Sequence, residues 1–423
     1  MEKYRPRIAD TLLKDRLEGK GAILVEGAKW CGKTTTSLHQ SASVLYMQDP
    51  DAREQNMRLA GVKPSALLEG KVPRLIDEWQ TAPQLWDAVR FEVDKRDAFG
   101  QFILTGSVTP GDTSQILHSG TGRIGRIRMR PMSLFESGES NGSVRLSSLF
   151  AGDSDVNGTC DISLEETAFL ICRGGWPKSI GCSRRVALQQ AADYYDSVVY
   201  ADISGADGIR KDPERVKRFM RSYARAVAAQ TKIPTLIEDI SANEGIPISE
   251  VTVHSYIDAL KKIFVIEDAP AWNPNLRSKT AVRTSDTRYY TDPSIGAAAL
   301  GLSPGDLIGD LRTMGLFFEN LCIRDLRVYA DAMGGTVYHY RDKNGLECDA
   351  VIHLRDGSYG LAEIKLGGES AVREGISTLN ALESLIDTSK MKAPAFKMVI
   401  TGTGRYAYRD DGVFIVPAGC LRN

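Results

Sequence analysis

The chain has 423 residues, 42% of them hydrophobic and 25% charged, which is enough for two or three domains with buried cores. Lysine and arginine number 53 and aspartate and glutamate 54, so the formal net charge is -1. Binding of a polyanion by the overall charge of the surface is therefore excluded. Any contact with nucleic acid must therefore be local.

The seven cysteines are scattered, without Cys-x-x-Cys pairs or Cys/His clusters. This pattern predicts neither a disulfide framework nor a zinc site, and it favours a reducing compartment. Residues 1–13 lack the apolar run of a signal peptide, and no later segment is long and apolar enough to span a bilayer. We therefore expect a cytoplasmic protein with no membrane partner.

Short apolar segments alternate with helical patterns from Gly21 to about Ser107. This alternation is typical of a parallel α/β sheet, whose central strands are buried on both faces. The predicted strands are 22–26, 44–47, 74–77 and 101–105, and residues 127–133 are a further strand that would close the sheet.

The segment after the first strand fits the phosphate-loop pattern G-x-x-x-x-G-K-[ST] and opens a helix. Gly27 and Gly32 let the backbone wrap the phosphates, so that successive N–H groups face the negative charge. Lys33 would supply a cation to the β- and γ-phosphates, and Thr34 a hydroxyl to Mg²⁺. The predicted site for ATP and Mg²⁺ is Gly27, Ala28, Lys29, Trp30, Cys31, Gly32, Lys33, Thr34 and Thr35.

Two acidic residues end the third predicted strand, and hydroxyls end the next one. Asp77 would hold Mg²⁺ through water, and Glu78 would orient and deprotonate the attacking water. Taken alone, two acids after a short apolar run are more often a solvated strand end. Thr105 and Ser107 are candidate sensors of the γ-phosphate or of the attacking water.

A basic cluster occupies residues 122–131. One explanation is a solvated strand face. The other is an arginine finger that reaches the γ-phosphate bound by a neighbouring subunit, for which Arg123 is our candidate.

A polar stretch rich in glycine and serine, 137–158, marks the first predicted domain boundary. Helices are predicted at 213–230, 234–244 and 249–263, followed by a β-like segment at 264–271 and a strand at 287–290. This is the order of a winged helix-turn-helix.

The third of these helices suits a DNA major groove, and the basic loop that follows suits phosphates. Winged helices also dock proteins or act as lids, and basic loops are often only solvated, so both interpretations stay open. The predicted DNA contacts are Thr252, His254 and Ser255 on the helix and Arg277, Lys279 and Arg283, with Arg288, in the loop.

The C-terminal part reads as a small α/β domain, with a helix at 316–329 and apolar segments at 337–340, 348–354, 360–364 and 397–401. A turn at Asp356-Gly357 would pair two of these segments and bring Asp349 close to Glu363 and Lys365. The carboxylates of Asp349 and Glu363, together with Glu319, would hold a divalent metal against a phosphodiester. Lys365 would stabilise charge. A scaffold without catalysis, or an ordinary Glu363–Lys365 ion pair, is the alternative.

The combined motifs resemble the AAA+ superfamily ATPases in which an AAA domain precedes a DUF4143 domain. The residues that carry the resemblance are Gly27 to Thr34, Asp77-Glu78, Leu104 to Ser107, Gly122-Arg123, Pro131 to Glu136, Gly174 to Pro177, Tyr290 to Asp292, Phe318 to Asn320, Glu347 to Asp349 and Glu363 to Lys365. The resemblance implies an ATP-driven machine, a hexameric ring, with a winged-helix element and a nuclease-like C-terminus.

The carboxylate set resembles the PD-(D/E)xK nuclease fold, especially the Holliday-junction resolvases, although Cys348 stands where that motif has its proline. The predicted fold class is therefore α/β: an AAA+ sheet at 1–140, a helical linker at 141–205, a winged helix at 206–300 and a nuclease-like domain at 301–423. The predicted function is an oligomeric ATPase motor on branched DNA, with nuclease activity left open. The alternative is a nucleotide-gated regulatory or defence switch that binds protein partners.

Overall fold

The structure is a computed structural model that describes residues 4–109, 116, 118–206, 208–245, 247–273 and 285–423. The chain divides into two compact units. The first comprises Met1–Pro131, Ala201–Arg210 and Asp258–Phe264, and the second comprises Met132–Tyr200, Lys211–Ile257 and Val265–Asn423.

The first unit is built on a five-stranded sheet in the order β2-β3-β4-β1-β5, in which every pair is parallel. This confirms the predicted α/β class with a parallel central sheet. The strands are β1 (Ala22–Glu26), β2 (Ser43–Tyr46), β3 (Arg74–Asp77), β4 (Phe102–Gly106) and β5 (Ile124–Arg128). The helices are α1 (Ile8–Leu17), α2 (Lys33–Gln40), α3 (Arg53–Val62) and α4 (Leu85–Arg96).

Both faces of this sheet are buried, as the nearly continuous apolar strands require. On one face Leu24 and Leu104 pack with Trp86 of α4. On the other face Ile23 and Ile103 pack with Leu13 of α1 and Ile127 of β5. Each fully buried side chain of this size contributes roughly 1.5–3 kcal/mol, so the two layers fix the strand order and register.

The last strand of this sheet begins three residues and ends five residues before its predicted bounds. The prediction placed it at 127–133, but β5 begins at Ile124 because Ile124 pairs with Ala22 and Arg128 pairs with Glu26. Pairing with a central strand, rather than local apolarity, sets the bounds of this edge strand.

The second unit contains a seven-stranded mixed sheet in the order β7-β12-β13-β11-β10-β9-β8 and a pair formed by β6 and β14. Its strands are β6 (Val144–Arg145), β7 (Gly158–Thr159), β8 (Gly335–Arg341), β9 (Glu347–Leu354), β10 (Tyr359–Lys365), β11 (Phe396–Thr401), β12 (Tyr406–Asp410), β13 (Val413–Pro417) and β14 (Leu421–Arg422). The helices along the rest of the chain are α5 (Leu134–Ser137), α6 (Leu146–Phe150), α7 (Leu164–Arg173), α8 (Arg184–Ser197), α9 (Ile203–Gly205), α10 (Pro213–Arg225), α11 (Ile233–Glu244), α12 (Glu250–Lys262), α13 (Pro293–Leu300), α14 (Pro304–Gly309), α15 (Leu311–Ala332) and α16 (Glu369–Ser384).

The predicted C-terminal α/β arrangement is present. Strands β9 and β10 form an antiparallel hairpin in which Ala350 pairs with Ala362, and β10 pairs in parallel with β11. The helix before them, α15, is longer than predicted because it begins at Leu311, where the Asp310 carboxylate accepts a hydrogen bond from the backbone N–H of Thr313 at 3.2 Å.

Helices α10, α11 and α12 precede a short antiparallel ladder, in the predicted order. The ladder joins Ile266 to Tyr290 and Ala269 to Thr287. The first helix ends at Arg225 instead of 230, since the backbone of Ala228 and Ala229 leaves the helix to exchange hydrogen bonds with Arg288 at 2.9 and 3.0 Å. The basic residues predicted for the connecting loop, Arg277, Lys279 and Arg283, lie outside the described residues.

All seven cysteines are free thiols. Within the part of the chain that the structure describes, no helix is both long and apolar enough to cross a membrane.

Candidate active site

The phosphate loop follows β1 and leads into α2, and two of its glycines are required by backbone geometry. Gly27 has a φ of 155°, and a Cβ added to it would lie 2.0 Å from the carbonyl oxygen of Met129. Gly32 has a φ of 101° at the N-cap of α2. Only glycine adopts such conformations without strain, and this turn leaves the N-terminus of the helix open to an anion.

Lys33 lies inside this loop rather than in solvent. Its side chain is buried, with the residue only 5% exposed, and its Nζ donates a hydrogen bond to the carbonyl oxygen of Ala28 at 2.8 Å. No carboxylate among the described residues pairs with this ammonium group. A buried cation held by one backbone oxygen is stabilised by an anionic ligand, so this residue fits the triphosphate of a nucleotide.

Asp77 joins α2 to two strands. Its Oδ1 accepts hydrogen bonds from the hydroxyls of Thr34 and Thr105, each at 2.7 Å. Because β3 and β4 are parallel neighbours, their carboxyl ends meet at the same edge of the sheet, where the phosphate loop also lies. A hydroxyl and a carboxylate are hard oxygen ligands of the kind that Mg²⁺ prefers, so Thr34 and Asp77 fit a Mg²⁺ site.

Glu78 is held by hydroxyl and amide groups around it. Its backbone N–H donates to Thr105 Oγ1 at 3.1 Å, and its Oε2 accepts a hydrogen bond from Ser107 Oγ at 2.8 Å and another from Gln80 Nε2. The structure thus brings the two predicted sensors, Thr105 and Ser107, to the two predicted acids. Gln80 was missed from the sequence, since no motif singles it out beyond its position two residues after Glu78.

The other loop residues have structural contacts. Lys29 forms a 2.6 Å ion pair with Asp202, so its ammonium group is engaged by a carboxylate. Cys31 is buried and donates to Met129 O at 3.4 Å, while Arg7 donates to the carbonyl oxygen of Cys31 at 2.8 Å. Arg7 was not expected from the sequence, and it supports the loop from the segment before α1.

Arg123 does not reach the phosphate loop of its own chain. It precedes β5, whose first residue pairs with the first residue of β1, whereas the loop follows the last residue of β1. A five-residue strand spans about 16 Å. The side chain is 48% exposed and its Nε donates to Asp94 at 2.7 Å. A role for Arg123 as a finger in a neighbouring subunit therefore stays a prediction.

In the second unit, the predicted nuclease carboxylates lie on α15, β9 and β10. Glu319 accepts a hydrogen bond from the Tyr289 hydroxyl at 2.5 Å, and Asp349 accepts one from the backbone N–H of Ile364 at 2.7 Å. Glu363 forms a 2.7 Å ion pair with Lys365 through Oε2. Its other oxygen, Oε1, is buried and has no hydrogen-bond partner within the described ranges.

Burial and the charge of Asp349 raise the pKa of the two glutamates in this cluster. Burial, followed by the Asp349 charge, raises the pKa of Glu363 to about 8 and that of Glu319 well above its usual value. Burial also raises the pKa of Asp349, and the Lys365 ammonium group opposes this rise. Such shifts report carboxylates that share one dry environment, which a nearby cation would stabilise in their charged form.

The predicted metal cage is nevertheless not preformed. Across the described ranges, no group of three or more His, Cys, Asp and Glu side chains is arranged to hold a metal ion. Each of Glu319, Asp349 and Glu363 has one oxygen engaged by a protein partner, so a metal would bind the oxygens that remain or displace the Tyr289, Ile364 or Lys365 contacts. Metal binding by these residues stays a prediction.

The predicted DNA-contacting residues of α12 are only partly accessible. His254 is exposed and lies 3.7 Å from the Glu250 carboxylate, whereas Thr252 and Ser255 are half-buried. Arg288, expected in the exposed loop, is instead buried and forms a 2.8 Å ion pair with Asp268. A buried and neutralised guanidinium cannot contact a phosphate, so that expectation was wrong.

The parallel sheet, the phosphate loop and the acids at its edge define a P-loop ATPase. Three family models match the chain: an AAA domain at residues 19–137, a domain of unknown function (DUF8612) at 164–306 and a domain of unknown function (DUF4143) at 314–421. The protein is an AAA-type P-loop ATPase with a C-terminal DUF4143 domain.

Similar proteins span almost the whole chain. "Uncharacterized protein Rv2008c" of Mycobacterium tuberculosis is 22% identical over 415 residues, which cover 97% of this chain and 83% of that protein. "Uncharacterized protein Mb2031c" of Mycobacterium bovis matches with the same figures.

Two solved structures resemble the chain more remotely. The Walker-type ATPase PABY2304 of Pyrococcus abyssi has a TM-score of 0.44 at 13% identity, covering 70% of this chain and 96% of its own. A chain from the structure of Drosophila ORC bound to DNA has a TM-score of 0.20 at 14% identity, covering 69% of this chain and 84% of its own.

Substitutions at Lys33 and Glu78 should have separable effects. We expect Lys33→Ala to weaken ATP binding by roughly 100-fold or more, because it removes the buried cation that faces the phosphates. We expect Glu78→Gln to keep ATP binding but to lower kcat by roughly 100- to 10,000-fold, because the amide cannot accept the proton of the attacking water. Isothermal titration and phosphate-release assays measure the two effects, with the exposed Lys14→Ala as the control. Normal hydrolysis by both variants would contradict the assignment of the site.

If Arg123 acts on a neighbouring subunit, two inactive variants should complement each other. Mixing Arg123→Ala with Lys33→Ala subunits should restore part of the ATPase activity, because one type of mixed interface has both an intact phosphate loop and an intact arginine. The measurement is steady-state hydrolysis as a function of the mixing ratio. Absence of rescue at every ratio, with mixed oligomers shown to form, would exclude a shared site.

Proposed function

We propose that the protein is a Mg²⁺-dependent ATPase whose hydrolysis cycle drives a DNA-binding motor in a ring-shaped homo-oligomer, acting on branched DNA such as a Holliday junction or a fork. One observation carries the catalytic part: the hydroxyls of Thr34 and Thr105 converge at 2.7 Å on the same oxygen of Asp77, beside the phosphate loop. This geometry supports the proposal, because it brings the phosphate loop close to the acid that would bind the metal and to the hydroxyl that would act as sensor.

The residues divide the chemistry among them. Lys33 and the backbone N–H groups of the loop would bind the β- and γ-phosphates, and Thr34 and Asp77 would hold Mg²⁺, which neutralises charge on the phosphate oxygens when bound. Glu78 would take the proton from the attacking water. Thr105 would fix the position of the Asp77 carboxylate relative to the Glu78 backbone, since its hydroxyl hydrogen-bonds to both.

The DNA-binding part of the proposal rests on the three helices and ladder that follow the predicted winged-helix order. Helix α12 exposes His254, and the basic residues Arg277, Lys279 and Arg283 follow in the chain. A helix of this kind in a groove, with cations on phosphates, is a recurrent mode of DNA binding.

A second candidate is a nucleotide-gated switch in which the same helix binds a protein. Val251, in the first turn of α12, is 80% exposed, and Glu250 beside it is acidic and exposed. An exposed apolar side chain next to a carboxylate suits a protein surface better than a DNA backbone. Affinity for DNA and its dependence on salt separate the two candidates.

The nuclease part of the proposal rests on the buried cluster of the second unit. Glu363 Oε1 has no hydrogen-bond partner in the part of the chain that the structure describes, and a cation would satisfy this acceptor. Carboxylates are suitable ligands for Mg²⁺ or Mn²⁺. Asp349, from the neighbouring strand, would share the metal, and Lys365 would stabilise charge at the phosphodiester.

Neutralising the basic loop should weaken DNA binding without changing its preference for sequence. We expect the triple variant Arg277→Ala, Lys279→Ala and Arg283→Ala to lose affinity for duplex, forked and four-way DNA alike, and to flatten the salt dependence by about three units of slope, because phosphate contacts release counterions. Fluorescence anisotropy at two salt concentrations measures this effect.

A charge-matched control for this test is the triple variant Lys343→Ala, Arg373→Ala and Lys390→Ala, which removes exposed cations elsewhere. Its DNA affinity should stay close to that of the wild type. If the basic-loop variant also binds as tightly as the wild type, α12 and its loop are better assigned to protein docking.

If the carboxylate cluster is a nuclease site, the protein should nick branched DNA in Mg²⁺ or Mn²⁺ even when Lys33 is replaced. Asp349→Ala and Glu363→Ala should abolish nicking because they remove metal ligands, whereas Lys365→Ala should slow it with metal still bound. Gel assays on four-way DNA and calorimetric Mn²⁺ titration measure these effects. Asp410→Asn, at an exposed carboxylate on β12, is the control, because β13 and β11 separate β12 from β10 in the sheet.

ATPase activity should survive each of these substitutions. Wild-type protein that cuts no linear, forked or four-way DNA in either metal would remove the nuclease proposal and leave the ATPase unaffected.

A further inference from the structure

Gln80 lies in a short turn directly after Glu78, and this turn is rigidly anchored. The turn, a 3-10 helix over Trp79–Thr81, is closed by hydrogen bonds from Thr81 N to Glu78 O and from Ala82 N to Trp79 O, both at 3.0 Å. Trp79 is buried and packs against Trp86 with ring centroids 5.0 Å apart. The backbone of Gln80 is therefore fixed relative to that of Glu78.

Glu78 itself has a left-handed backbone, with φ 56° and ψ 49°. Residues other than glycine, asparagine and aspartate rarely adopt this conformation, and where they do, the surroundings hold them in it. Here the Glu78 N–H donates to Thr105 Oγ1 at 3.1 Å. This backbone conformation turns the Glu78 side chain away from the direction of β3. The contacts of the Glu78 carboxylate then determine where that side chain points.

Among the described residues, only one oxygen of that carboxylate has hydrogen-bond donors. Oε2 accepts from Ser107 Oγ at 2.8 Å and from Gln80 Nε2, and these two donors lie 3.4 Å from each other. Within the described part of the chain, no hydrogen bond reaches Oε1. Two donors on one oxygen fix the rotation of a carboxylate and leave the lone pairs of the other oxygen available to a proton.

The Gln80 amide makes this contact although its own oxygen is left without a partner. Gln80 Oε1 is buried and has no hydrogen-bond partner among the described residues. It faces Gly106, where an added Cβ would lie 3.2 Å away from it. Turning the amide over would place this oxygen against the Glu78 carboxylate, so repulsion between acceptors selects the orientation that donates to Glu78.

We propose that Gln80 is a positioning residue for ATP hydrolysis: with Ser107 it holds Oε2 of Glu78, so that Oε1 is presented to the attacking water. The inference rests on the proposed role of Glu78 as the base. Gln80 touches neither nucleotide nor metal in this account, and it acts only through the carboxylate.

The test compares Gln80→Ala and Gln80→Glu with the wild type. Because a misplaced base costs rate and not binding, we expect kcat to fall roughly 10- to 100-fold while KM and the Kd for ATP stay within about twofold. Gln80→Glu is nearly isosteric, so it keeps the packing of the turn while it replaces the donor by a like charge. Its loss of kcat should be at least as large as that of Gln80→Ala.

Gln84→Ala is the matched control. Gln84 also carries an amide whose buried Oε1 lacks a hydrogen-bond partner among the described residues, and it lies one turn further along the chain. Among those residues, the side-chain donors to the Glu78 carboxylate are Gln80 and Ser107, not Gln84. Its kcat should equal that of the wild type. In a double-mutant cycle measured by single turnover, Gln80→Ala should have no further effect on the rate of Glu78→Gln, since both remove the same oriented base.

Several results would overturn the inference: unchanged kcat in both Gln80 variants, an equal loss in Gln84→Ala, a parallel loss of ATP affinity, or full additivity with Glu78→Gln. If Glu78→Gln is inactive in any of these cases, the proposed ATPase site is still supported and only the role of Gln80 is rejected. Normal hydrolysis by Glu78→Gln would instead contradict the proposed function itself.

Discussion

The Asp77 carboxylate connects the phosphate loop to the sheet, and the geometry of the active site depends on this connection. Thr34 brings the start of α2 to Asp77, and Thr105 brings the end of β4 to the same oxygen. Parallel pairing makes this possible, because only parallel strands place their carboxyl ends at one edge. Thr105 also accepts a hydrogen bond from the Glu78 backbone N–H, so a single hydroxyl holds both the acid proposed to bind the metal and the proposed base.

The buried cluster of the second unit obeys a different constraint. In the ATPase site, hydroxyls and an amide satisfy the acids. Around Glu319, Asp349 and Glu363, burial and the Asp349 charge raise the pKa of the two glutamates, and Lys365 offsets part of the negative charge. Burying like charges is costly unless a ligand is bound. Such clusters occur more often at functional sites than in structural cores, which is why the cluster merits a metal titration.

Local sequence was enough to predict some parts of the structure and not others. Strands β1 and β3 have their predicted bounds, because each is a short apolar run closed by a glycine or a charged residue, and the phosphate loop has a distinctive pattern. The register of β5 depends on its pairing with β1, which local sequence does not encode. The burial of Arg288 depends on Asp268, twenty residues before it, and the contact of Gln80 with Glu78 depends on a left-handed turn.

The most direct test of the ATPase site is a crystal structure of Glu78→Gln bound to ATP and Mg²⁺. This variant should trap the nucleotide before hydrolysis. We expect the triphosphate on the backbone amides between Gly27 and Thr34, the Lys33 ammonium group on the β- and γ-phosphates, and the metal beside Thr34 and Asp77. A nucleotide bound elsewhere, or a metal remote from both of these residues, would contradict it.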